Sequence, residues 1–221
     1  MTAQLYDQKR DLYYAKPLLR GWLHLGWFVT SLVVGPLLLA SARGRAEFAS
    51  LAVYTGSVSG LFGVSALYHC GNWGVTASRR LQRLDHVMIY ILIAGTATPI
   101  FALTSDAAFG LTCLIAMWSL TALATVLHLA RMSAPEILVG LTFVGLGTLA
   151  GLALPAVWMH AGVAAASLVF AGGLLFMAGA FSYYRRSPDP SPTIFGYHEV
   201  FHAYVCAAAA CHYVAIAVFI S

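Results

Sequence analysis

His198 and His202 stand four residues apart in the stretch His198-Glu199-Val200-Phe201-His202. At that spacing two side chains lie one above the other on a single helix face, so two imidazole nitrogens can turn toward one divalent metal. The pair opens an apolar run, 200–220, that is long enough to cross a bilayer. Histidines at the edge of a hydrocarbon core are costly unless partnered, which marks them as functional. Two stretches far upstream add weight: Ser65-Ala66-Leu67-Tyr68-His69 and Leu84-Asp85-His86.

The elements that must carry these residues are apolar helices. The chain has 221 residues, 60% of them hydrophobic and only 9% charged, with a mean hydropathy of +0.80. Such a composition excludes an ordinary soluble domain and indicates an all-α, polytopic membrane protein. The net charge of +4 is small, and the basic residues are not interleaved with aromatics, so no nucleic-acid partner is expected. Cys70, Cys113, Cys206 and Cys211 all lie in or at the ends of apolar runs without a metal-type pairing motif, and read as small packing residues.

Hydropathy predicts spans over 22–40, 48–69, 84 to about 103, 109–129, 137 to about 154, 156–183 and from His198 onward. Residues 1–21 form a short, polar cytoplasmic lead without a small-residue cleavage site, and 22–221 form a single seven-helix domain. Gly and Ser in the second span let neighbouring backbones come close. Gly172 and Gly179 give the sixth span, long enough to tilt, a smooth stripe. Pro99 is expected to disturb the far end of the third span. Ser133 and Glu136, with Pro135 between them, have the pattern of a capping box. Pro188, Pro190 and Pro192 exclude helix from the longest loop.

Seven spans put the termini on opposite sides, and the loop charges choose which. With the N-terminus inside, the inner side holds Lys9, Arg10, Lys16, Arg20, Arg79, Arg80, Arg83, Arg131, Arg185 and Arg186, and the outer side holds only Arg43 and Arg45. The expected topology is therefore N-in, C-out. It places His69 at the inner end of the second span and Asp85 at the inner start of the third. His198 and His202 lie at the inner start of the seventh, and Ser65 one turn inside His69.

Three histidines plus a water is the donor pattern of an open, catalytic type of zinc site. Asp85 would hold that water or orient a histidine, and Ser65 would donate to a substrate oxygen. Plainer readings stand beside each of these. His198 also reads as an interfacial helix-start residue and His202 as a packed core histidine. Ser65 also reads as bonded to a carbonyl of its own helix. Asp85 also reads as a charge favoured near a helix N-terminus, or as a partner of Arg83. Glu199 faces away from the histidine pair and reads as an interface charge, and His24 as a packing or interfacial residue. His86, His128, His160 and His212 lack matching partners.

Three stretches resemble motifs of a known family. Ser65-Ala66-Leu67-Tyr68-His69 resembles an S-x-x-x-H motif, the segment Arg83 to Pro99 a third-helix signature, and Phe195 to His202 an H-x-x-x-H motif. Together they resemble the hemolysin III branch of the progestin and adiponectin receptor family, over almost the whole chain. The chain departs from the family in the fifth and sixth spans, where Gly140 to Gly147 lacks the usual Tyr and Trp and Leu175-Phe176 replaces a common Tyr. The resemblance implies a multi-pass protein of the bacterial inner membrane. It implies Zn2+ held by His69, His198 and His202 near the cytoplasmic face, with Asp85 and Ser65 beside it. It also implies kinship with membrane ceramidases, and so membrane lipids as partners and a lipid amide or ester as substrate. A non-enzymatic sensor or receptor with structural zinc is the alternative. A pore-forming cytolysin is the third reading, opposed by seven apolar helices without a polar stripe.

Overall fold

The computed structural model describes residues 4–7, 12–130 and 136–221. Gln4–Asp7 (β1) pairs antiparallel with Leu12–Ala15 (β2), so the polar lead contains a small hairpin. The run Leu12-Tyr13-Tyr14 has the aromatic content that suits a strand. The α-helices follow: α1 Trp22–Ala40, α2 Arg45–Cys70, α3 Val75–Thr104, α4 Ala107–Ala130, α5 Glu136–Gly151, α6 Leu154–Arg185 and α7 Tyr197–Val214, the last continued by a π-helical turn over Ala215–Ile220. Six of them, with α7 and its π turn taken together, are long and apolar enough to cross a membrane. The chain is a helical, multi-pass membrane protein. The exception to the expected seven spans is α5, whose 16 residues reach only about 24 Å against a hydrocarbon core of about 30 Å.

The boundaries differ from the expected ones where polarity and helicity part company. α3 starts at Val75, well before residue 84, because Thr76 to Arg83 is polar yet contains no helix breaker. Only Gly71–Gly74 is left as loop. The far end of α3, at Thr104, is close to the expected one, with Pro99 inside the helix. α6 is not one long tilted rod. Gly162 has φ +82°, and the helix breaks there into 154–161 and 163–185. Asp106 opens α4 by accepting the Phe109 N–H at 3.0 Å. Pro155 lies in the first turn of α6, where a missing N–H costs nothing. The proposed capping box at Ser133 and Pro135 lies outside the described residues.

The core is centred on α2 and α3. Leu51, Tyr54, Val58, Leu61 and Phe62 of α2 are buried, as are Tyr90, Leu92, Ala94, Ala97, Ile100 and Phe101 of α3. A Cβ on Gly95 would overlap the Ser57 side chain, so the close crossing of these helices needs the glycine. α3 also touches α4, α5, α6 and the π turn, while α7 packs on α6 and closes against α1. Gly172 and Gly179 face α7, under His212 and Tyr204. Ring contacts show which helix ends lie together. The C-terminal end of α4 brings His128 to His86 of α3 (5.2 Å between ring centroids). The C-terminal end of α6 brings Tyr183 to His198 (5.3 Å).

Candidate metal centre

His69 is the penultimate residue of α2, and His198 and His202 occupy the first two turns of α7. The packing joins these helix ends, and one ligand nitrogen from each ring lies within 4.8 Å of the others. The ring centroids are 4.6 Å apart for His198 and His202, 4.7 Å for His69 and His198, and 4.9 Å for His69 and His202. His69 Nε2, His198 Nε2 and His202 Nδ1 are buried without a hydrogen-bond partner. Orphaned buried nitrogens are rare in folded chains because each forfeits its hydration. Three of them on converging imidazoles fit a divalent cation, and neutral nitrogen donors without thiolate suit zinc.

Asp85 Oδ2 is 3.6 Å from His69 Nε2, within ion-pair reach but too far for a hydrogen bond. With α3 starting at Val75, Asp85 sits about three turns inside the helix. The helix-end dipole fades within the first turn, so it does not explain the aspartate. Ser65 shares a 2.8 Å hydrogen bond with His24 Nδ1 of α1. Its described bond therefore crosses to another helix, not back to its own carbonyl.

Three participants were not legible in the sequence. His24 stacks on His202 with ring centroids 3.7 Å apart and planes at 16°, and its Nε2 is also a buried orphan. It packs directly on the cluster, as the packing reading expects, and is not interfacial. Glu199 is only 1% exposed and pairs with Arg20, itself 6% exposed, so neither is a free interfacial or loop charge. Glu199 also accepts the Gly196 N–H at 2.8 Å, which caps α7. Hydropathy shows that a helix is apolar, not which face meets the lead. The signal that could have found His24 is depth: it starts α1 at the same end as the other histidines.

The histidines left out of the site fall elsewhere. His212 shares a hydrogen bond with the Val169 carbonyl at 3.1 Å and packs over Gly172. His86 and His128 face each other between α3 and α4. All four cysteines are free thiols, and none belongs to the cluster.

A sequence-family model described as haemolysin-III related matches residues 12–213. The chain belongs to that family. The match runs from β2 to the end of α7 and takes in every residue of the cluster. Among curated members of similar sequence, the Hemolysin-3 homolog of Bacillus subtilis (strain 168) is 28% identical over 131 residues, covering 59% of this chain and 58% of that protein. The chain therefore spans less than two thirds of that haemolysin-III relative in the matched region.

Proposed function

We propose that this member of the haemolysin-III related family is a zinc-dependent hydrolase of the bacterial inner membrane, cleaving an amide or ester bond of a lipid. The observation that carries the reading is the convergence of three imidazoles, each with an orphaned buried nitrogen, beside a largely buried carboxylate. Zinc held by His69, His198 and His202 would supply an acidified water and a Lewis acid for a carbonyl oxygen. Asp85 would take or orient a proton of the attacking water, a role that its 3.6 Å approach to His69 supports. Ser65, bonded to His24, would donate to the oxygen on which charge develops. Product release decides between this and the second reading, a sensor whose zinc only ties α2 to α7, which the burial of His69 and His202 favours. Purified protein loaded with zinc is incubated in liposomes with ceramides, phospholipids and acyl amides, and released fatty acid is followed by mass spectrometry. Product that disappears on chelation is expected. No zinc-dependent product from any class would leave the sensor reading.

The site lies near the cytoplasmic face in this proposal, with seven crossings and the N-terminus inside. The ten-to-two charge split supports it. So do the helix ends: α4 finishes at the histidine end and α6 returns to it, which leaves α5 to make the intervening crossing despite its length. A reporter fused after Ser221 should be active only outside the cytoplasm. Cytoplasmic activity would mean six crossings, with α5 not spanning.

A further inference from the structure

Residues 16–21 run beside the histidine cluster, bonded to the residue that follows α2, to the loop that leads into α7 and to α7 itself. Lys16 Nζ donates to the Gly71 carbonyl just past α2 (3.0 Å), and partial burial lowers the pKa of its ammonium. Leu18 N–H and Leu19 N–H donate to the carbonyls of Thr193 (3.0 Å) and Ile194 (3.1 Å), in the loop that leads into α7. Arg20 then donates to Glu199, between the two α7 histidines. Gly21 follows at φ +86°, and a Cβ there would stand 2.7 Å from the Cβ of His69. Both facts require glycine, because an L side chain is strained at that φ and has no room. The segment thus touches the backbone or side chains next to all three histidines.

A buried ion pair is a poor way to gain stability, since apolar residues of similar volume serve as well or better. Its best-supported use is to fix one arrangement among several. Here the arrangement fixed is the rotation and height of the first turn of α7 relative to the end of α2, which sets the separation of His198 and His202 from His69. We propose that Arg20 and Glu199 are positioning residues that hold the histidine centre in its metal-binding geometry and so set its affinity for zinc. The inference rests on the metal-site reading above.

The test uses the full chain in detergent, with zinc affinity measured by competition against a chelator and Co2+ absorption as a report on ligand geometry. Wild type should bind about one metal per chain; no binding would overturn the metal-site reading itself. Glu199→Gln keeps an acceptor for Gly196 N–H but loses the charge. It should weaken zinc binding by about tenfold or more, the scale for losing a supporting partner of a metal ligand, and should alter the cobalt spectrum. Joining Arg20→Glu with Glu199→Arg should recover part of the loss seen in either reversal alone. Val157→Ala, a cavity at the buried residue of the first piece of α6, should lower stability without changing affinity. An affinity in Glu199→Gln equal to wild type overturns the clamp while leaving the metal site standing. A second measurement needs no substitution. Coupling is reciprocal, so zinc must slow hydrogen exchange at the Leu18 and Leu19 amides. Exchange there that is indifferent to zinc also overturns the proposal.

Discussion

Replacing any one of His69, His198 or His202 by alanine should strip the protein of its zinc. Each ring supplies one of three nitrogens lying within 4.8 Å of one another, and two nitrogens leave an incomplete site. The loss should exceed the roughly 10–100-fold that partners outside the ligand set cost. His86→Ala and His212→Ala are the controls, because His86 faces His128 and His212 is bonded to Val169. Metal content by mass spectrometry reads the effect directly, and thermal unfolding reads it independently. A ligand present at a hundred times its dissociation constant stabilises the folded state by about 2.7 kcal/mol. The zinc-dependent rise in Tm should therefore vanish in the three variants and persist in the two controls. Equal zinc content in all five would dismantle the assignment.

Asp85→Asn should separate chemistry from binding. The aspartate stands 3.6 Å from His69 but is not one of the converging nitrogens, so the amide variant should retain most of the zinc. If Asp85 handles the proton of the attacking water, turnover should fall by roughly a hundredfold or more. Ser65→Ala should cost less, since it removes a single hydrogen bond to developing charge. His24→Phe keeps a ring against His202 and removes only the bond to Ser65. It should therefore resemble Ser65→Ala in rate and wild type in zinc content. Turnover undiminished in Asp85→Asn would take that residue out of the mechanism.

What could be read from the sequence was whatever repeats along a single helix. The four-residue spacing of His198 and His202, and of Ser65 and His69, needs no tertiary knowledge, and the apolar runs located the helices. Where composition and conformation diverge, reading failed. Thr76 to Arg83 is too polar for a span, yet α3 begins before it, and Gly162 breaks α6 inside an unbroken apolar run. The partners of the site were hidden for a different reason. Arg20 with Glu199 and His24 with Ser65 are contacts between distant segments, and charge or polarity alone makes the first pair look like surface residues. Only the closure of α7 against α1 shows that they are buried.

That closure also dates the site. Arg20 and Glu199 are separated by 179 positions, and α7 leaves the ribosome after the other six helices. Until it inserts, the growing chain holds one of the three converging imidazoles, with Ser65, Asp85 and His24 waiting beside it. Contacts that close so long a loop form late. On the metal-site reading proposed above, the growing chain therefore lacks two of the three donors during most of its synthesis, and α7 is the helix that brings them.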